Sequence, residues 1–430
     1  MLLLAVCRVG AQVPTPGVNQ KALLRAVESR RGATTLFGLI NLFSGGAFQK
    51  ATVLALGIMP YISASIILQL LTAVIPSLEK LYKEGGEEGR RKMTQYTRYA
   101  TVALCGFQAF LMATFVESLN AAVPPGLGRV VANPGLGFRL MTLITMTTGT
   151  MFLMWIGEQI SERGIGNGIS LIITIGIVSR APAALGSVWS NLSPLDPRAR
   201  QLPIPWLPVL LAFFVFVTAA VIVLTQGQRR IPVQYAKRIV GRRVYTGQSS
   251  YIPLRVNYAG VIPIIFAAAI LMFPATIAEW AQVPFFKKIG ALLAPNKLLN
   301  VILEVLLIVF FCYFWTATQF DPIQIANNMK KNGAFVPGIR PGKPTADFFE
   351  KGMTRITFAG AVFLAFIAVI PRLLIQGIPG MDWDTASFFG GTSLLIIVGV
   401  TLDTMQAIES HLLMRQYDGF MKKGKLRGRY

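Results

Sequence analysis

Gly57-Ile58-Met59-Pro60-Tyr61-Ile62-Ser63-Ala64-Ser65-Ile66-Ile67-Leu68-Gln69-Leu70-Leu71 keeps a proline, two serines and a glutamine inside what otherwise reads as a membrane span. In hydrocarbon each of these is costly, because a freed carbonyl or an unpaired amide must find a partner without water. Residues of that kind mark a working surface rather than a lipid anchor.

The chain around this stretch is equally apolar. Of its 430 residues 53% are hydrophobic and only 14% charged, the composition of a multi-span membrane protein. Apolar windows of about 20 residues recur along the whole length, each long enough to cross roughly 30 Å of bilayer as a helix. About ten are read, near residues 1–14, 52–76, 95–116, 138–157, 168–186, 206–225, 258–280, 299–318, 353–375 and 389–413. The expected fold is therefore an all-α polytopic membrane protein. Cys7, Cys105 and Cys312 fall within these windows without CxxC spacing and read as small packing residues. His411 is the single histidine, with no clustered carboxylates beside it. Nothing suggests a metal or other cofactor.

The net charge of +22 is concentrated in alternate loops. One set holds Lys80, Lys83 and Arg90 to Lys92; Arg163; Arg229, Arg230, Lys237, Arg238, Arg242, Arg243 and Arg255; Lys330, Lys331, Arg340, Lys343 and Lys351; and the tail from Arg415 to Arg429. The positive-inside rule places this set in the cytoplasm, so loops 226–257 and 319–351 and the tail 414–430 face the cytosol. The opposite loops, such as Pro124 to Pro134 and Asn191 to Pro208, are rich in Pro, Gly and Asn and suit translocated connectors.

The basic loop 226–257 separates an N-terminal half, 1–186, from a C-terminal half, 187–430, with about five spans in each. An odd number per half means that the halves enter the membrane from opposite sides. If they are structural repeats they are inverted repeats, which place a functional site at their interface near the midplane. Before the second span, Gly32 to Gly46 is apolar, too short to span, and ends in two glycines that permit unusual backbone angles. By itself it suits either a re-entrant segment buried in protein or an amphipathic surface connector.

At this point the chain resembles the SecY/Sec61 family of protein-translocation channels. The matching pieces are Asn41 to Gly46, Gly57 to Leu71, Lys83 to Arg91, Glu162 to Gly168, Gln228 to Ala236, Asn257 to Pro263 and Phe335 to Gly342, in the family's order across nearly the entire chain. The resemblance implies an hourglass pore between two five-span halves, closed at its waist by an aliphatic ring. The matching positions are Ile58 and Ile62, Ile169 and Ile173, Ile265, and Ile396. Ile58 with Ile62, and Ile169 with Ile173, are spaced to project from one helical face, a spacing that ordinary lipid-facing isoleucine also satisfies. A narrow apolar ring excludes water and hydrated ions, yet offers no specific hydrogen bonds and so fits around an extended chain of any sequence.

The same resemblance assigns a plug to about 33–48, through Thr34, Thr35, Leu36, Phe37, Gly38, Leu39, Ile40, Asn41, Leu42 and Phe43, with Gly45 and Gly46 in its hinge. It assigns a lateral gate to Ser63 and Gln69 facing Phe273 and its neighbours. Arg229, Arg230, Lys237, Arg242 and Arg243 form a basic loop suited to ribosomal RNA phosphates, an acidic motor surface or anionic lipid, and equally to topology alone. Arg340 stands apart: two prolines and two glycines frame it in Pro337-Gly338-Ile339-Arg340-Pro341-Gly342, and topology needs no such rigid frame. The implied partners are the small subunits SecE and SecG, the motor ATPase SecA, the ribosome, signal peptides, unfolded preproteins and the lipid bilayer. The implied location is the bacterial plasma (inner) membrane, and no enzymatic activity is expected.

The family opens with a basic cytosolic segment and a complete first span. Here Met1-Leu2-Leu3-Leu4 starts almost inside the bilayer, and the short first span also contains Arg8, so the true start is expected upstream or the chain is trimmed. The principal rival is a secondary solute transporter with inverted repeats, which couples to ions through ionisable groups near the midplane. Glu158, Arg163, Glu279 and Glu304 lie at or near span ends, leaving Asp403 as the deepest acid of the last span. A membrane enzyme would need a nucleophile with its base or a phosphate loop with its lysine, and Gly164-Ile165-Gly166-Asn167-Gly168 has no such lysine.

Overall fold

Helices α1 (Leu2–Gly10), α2 (Gln20–Ser29), α3 (Met59–Val74), α4 (Pro76–Lys83), α5 (Gly86–Ser118), α6 (Leu136–Arg163), α7 (Gly168–Val178) and α8 (Ala181–Leu192) build the first part of the chain. The second part holds α9 (Trp206–Gln226), α10 (Ile262–Trp280), α11 (Leu298–Gln319), α12 (Pro322–Lys331), α13 (Lys343–Gly377) and α14 (Thr392–Lys423). The computed structural model describes residues 2–29, 44–83, 85–122, 129–192, 206–235, 238–240, 243–245, 249–258, 260–280, 297–377, 386, 388 and 392–423. The predicted plug residues Thr34 to Phe43 and the loop cations Lys237 and Arg242 lie outside the described residues, as do the side chains of Arg243 and Phe273.

Every apolar window predicted from the sequence holds a helix. Among the described residues, seven helices are long and apolar enough to cross a membrane, with α7–α8 and α11–α12 each acting as one continuous segment. Helices α3 and α4 make an eighth candidate as a pair bent by 106°. Large apolar side chains such as Ile144 and Phe152 on α6, Val215 and Phe216 on α9, and Leu306 and Phe310 on α11 face outward, as hydrocarbon requires.

Local chemistry sets several boundaries. Pro60 occupies the first turn of α3, where a missing N–H has no partner to lose, and Pro76 opens the bent segment after it. The Asn167 side chain accepts hydrogen bonds from Ile169 N and Ser170 N to start α7. Asp321 does the same for Ile323 N and Gln324 N at α12. The second predicted window began at residue 52, but α3 starts only at Met59, because residues 44–58 fold as a succession of turns.

Helices α5 and α6 pack together, α5 also against α3, and α6 against α7. In the second part α10 packs on α11 and α11 on α13. The two groups meet where α3 contacts α10 and where α7 contacts α14. Ion pairs tie the helices within each group. Arg98 grips Glu158 through Nε (3.1 Å) and Nη2 (2.7 Å), and Arg139 Nη2 lies 2.7 Å from Glu117 Oε2. Arg372 donates to Glu304 at 2.6 Å and to Asn300 at 2.7 Å. Such pairing lets charge sit at membrane depth.

The basic loop adds structure that its sequence did not announce. Strands β1 (Gln228–Tyr235), β2 (Arg238–Val240), β3 (Arg243–Tyr245) and β4 (Ser249–Arg255) lie before α10, and β5 (Ala334–Phe335) lies in the loop between α12 and α13. β1 pairs antiparallel with β4 from Gln228↔Arg255 to Gln234↔Ser249, and its far end pairs with β5 through Gln234↔Phe335 and Tyr235↔Ala334. Loops 226–257 and 319–351 are thereby joined in one sheet. Its inward residues Ile231, Val233 and Leu254 meet Phe320, Met329, Val336, Phe349 and Met353 in a small core of their own.

Candidate functional site

Five of the predicted ring isoleucines, Ile58, Ile62, Ile173, Ile265 and Ile396, are buried members of a single hydrophobic cluster. They come from the start of α3 and from α7, α10 and α14, so helices distant in sequence contribute the same aliphatic side chain to one cluster. Ile169 is half-buried and packs against this cluster from its edge. A methyl group on Gly157 of α6 would lie 3.1 Å from Ile169 Cγ1, so Ile169 leans toward α6. An aliphatic surface of this kind offers no strong hydrogen bonds and excludes water.

The helices that carry the predicted gate residues, α3 and α10, contact each other. Ser63 is half-buried on α3. Gln69 Nε2 donates to Ser65 Oγ at 3.2 Å, while Gln69 Oε1 is buried with no hydrogen-bond partner among the described residues. Phe273 belongs to α10, opposite α3 in the fold.

On the sheet of the basic loop Arg229 and Arg230 are exposed on β1. Arg340 is exposed at the tip of a turn that the sheet core anchors: Val336 is buried, Ile339 packs on the same core, and Ile339 N donates to Val336 O at 3.1 Å. Gly338 (φ +82°) and Gly342 (φ +105°) take left-handed angles that side chains resist. The tight frame read from Pro337 to Gly342 is thus present. One residue of it was missed. Thr345, 2% exposed, donates its hydroxyl to the Arg340 carbonyl at 2.8 Å and its N–H to Gly342 O at 3.0 Å. The sequence reading left Thr345 in loop 319–351, so the available signal was only that a threonine hydroxyl can hold nearby backbone.

Thr345→Val keeps the shape and removes that hold. The variant is expected to lose about 1 kcal/mol of stability, the worth of one hydrogen bond, with Thr345→Ser near wild type; thermal unfolding of both variants beside the unchanged protein is the check.

Two of the candidate acids for ion coupling are held by arginines. Glu158 and Glu304 are each held in an ion pair, and Asp403 is exposed on α14. Among the described residues no group of three or more His, Cys, Asp or Glu is placed to hold a metal.

A sequence profile described as SecY matches residues 52–405. The chain is 49% identical over 437 residues to "Protein translocase subunit SecY" of Chlamydia muridarum (strain MoPn / Nigg), across 99% of this chain and 95% of that protein. Among solved structures it is similar to "The plug domain of the SecY protein stablizes the closed state of the translocation channel and maintains a membrane seal", with a TM-score of 0.64, 19% identity, and 99% and 93% of the two chains covered. It is also similar to "Sec61 in the Canine ribosome-channel complex from the endoplasmic reticulum", with a TM-score of 0.59, 18% identity and the same coverage. At these identities the two likenesses are of fold.

Proposed function

The chain belongs to the SecY family, and from that premise we propose how it conducts protein across a membrane. Unfolded polypeptide passes between two five-span halves, 1–186 and 187–430, arranged as inverted repeats whose interface holds the pore. The observation that carries this reading is the convergence of Ile58, Ile62, Ile173, Ile265 and Ile396 from separate helices into one buried aliphatic cluster, with Ile169 at its edge. At rest the ring is closed to water and ions by dewetting. In transit its flexible side chains part around the moving chain without binding any sequence.

The plug, Thr34 to Phe43, seats beneath the ring on the external side. The seam of α3 and α10, with Ser63, Gln69 and Phe273, is the lateral gate through which signal peptides enter and transmembrane segments leave into lipid. A likeness to a plug-bearing channel supports the first reading, and the contact of α3 with α10 supports the second.

The chain does no chemistry of its own. Work comes from the motor ATPase SecA or from a translating ribosome, docked on Arg340 and on the basic hairpin of Arg229, Arg230, Lys237, Arg242 and Arg243. The exposed guanidinium on an anchored turn supports this docking surface, as does a fold shared with a ribosome-bound channel. SecE and SecG complete the complex, SecE bracing the two halves, in a bacterial inner membrane. The reading is tested by transport: vesicles carrying this chain with its small subunits should import a signal-bearing precursor when motor and ATP are supplied, and vesicles lacking the chain should not.

A further inference from the structure

We propose that the loop end of α13 holds one phospholipid of the ethanolamine type by its headgroup, the phosphate on Lys351 and Arg355 and the ammonium on Asp347 and Glu350. The site is an open cavity of about 350 Å³ lined by Asp347, Glu350, Lys351, Thr354 and Arg355. These residues follow one another at helical spacing and so share one face of α13.

The charges in the cavity are available to a ligand. All five lining residues are exposed. Asp347 and Lys351 stand at a spacing where opposite charges on a helix commonly pair, yet among the described residues neither carboxylate of the cavity is in an ion pair. Two carboxylates and two cations cancel. The cavity therefore suits a ligand that is neutral overall and carries both charges.

Position on the helix identifies that ligand as a lipid. Past the cavity the same face continues as Phe358, Val362 and Phe366, all exposed, on a helix long and apolar enough to cross a membrane. Tyr313 of α11 marks the level of the boundary, its hydroxyl donating to the Thr354 carbonyl at 3.2 Å, because a ring with one polar tip belongs where hydrocarbon meets water. From hydrocarbon outward the face reads apolar, then cationic, then anionic. A phospholipid of this type presents its tails, phosphate and ammonium in the same order. Along the axis Lys351 and Asp347 are about 6 Å apart, the scale of a two-carbon bridge between phosphate and ammonium. A primary ammonium donates three hydrogen bonds, which two carboxylates accept. A choline headgroup donates none and is held by aromatic faces instead, and among the described residues the cavity lining contains no aromatic side chain.

The test uses the full-length channel with its small subunits, purified in detergent, and counts bound lipid by native mass spectrometry after adding phosphatidylethanolamine, phosphatidylcholine or phosphatidylglycerol. One phosphatidylethanolamine is expected to bind about tenfold more tightly than phosphatidylcholine, the factor for one charge-assisted hydrogen bond. Asp347→Asn with Glu350→Gln should erase that preference and raise phosphatidylglycerol binding, since only the cations remain. Lys351→Gln with Arg355→Gln should weaken both lipids. Thermal unfolding should be unchanged in either double variant, because the four side chains are exposed. A benzophenone attached to Thr354→Cys should capture lipid.

Equal binding of phosphatidylethanolamine and phosphatidylcholine to the unchanged channel would overturn the site, as would a preference that survives both double variants. Capture of a small subunit in place of lipid would assign the face to a protein partner and overturn it too. Displacement of the lipid by free phosphoethanolamine at equal concentration would make the ligand a soluble zwitterion and overturn the lipid assignment.

Discussion

Replacing Arg340 with glutamate is expected to lower motor-driven export about a hundredfold, an effect of roughly 2.7 kcal/mol at a single docking contact. The side chain is exposed and makes no ion pair among the described residues. Reversing its charge therefore removes nothing that holds the fold, and stability should change by no more than about 0.5 kcal/mol. The turn that presents it stays anchored through Val336, Ile339 and Thr345. Changing Arg229 or Arg230 to alanine should cost far less, because each is one of several cations on an open strand and rim charges contribute weakly. Export rates and thermal unfolding measured on the same preparations decide the matter: wild-type export by a normally folded Arg340→Glu channel would remove the docking role.

Joining α3 to α10 covalently is expected to have a larger effect still. With cysteines at Ser63 and Phe273, a crosslink formed across the seam should abolish entry of signal-bearing precursors, and reduction should restore it. On α3, Gln69 Oε1 is buried with no hydrogen-bond partner among the described residues. A gate whose closed and open states differ by a few kcal/mol can be driven by binding one apolar helix. Undiminished transport through fully crosslinked channels would show that the seam need not open.

Most of the fold was legible because a membrane forces long apolar runs. Every predicted window holds a helix, and Asn167 caps the start of α7. The ring was legible only in part. Spacing paired Ile58 with Ile62 and Ile169 with Ile173, but nothing local says that Ile265 and Ile396 meet them, nor that Ile169 leans toward Gly157. Such meetings depend on tertiary contacts distant in sequence.

The strands of the basic loop were hidden for another reason. Ile231 and Val233 alternate as a half-buried strand should, but the run is short, interrupted by Pro232 and flanked by arginines. Its β5 partner lies some hundred residues away. Thr345 was missed because its role is a single close approach that no periodicity announces. Arg8 was visible as an oddity, and only the fold supplied its partner, the Gly45 carbonyl.

The most direct measurement is protease protection of an unfolded, signal-bearing precursor in vesicles that contain this chain, its small subunits and the motor with ATP. The account predicts a protected, full-length precursor that disappears when the chain is omitted or when Arg340→Glu replaces it. A precursor that stays fully digestible, in vesicles whose motor is competent with another channel, would contradict the claim that this chain is a protein conduit.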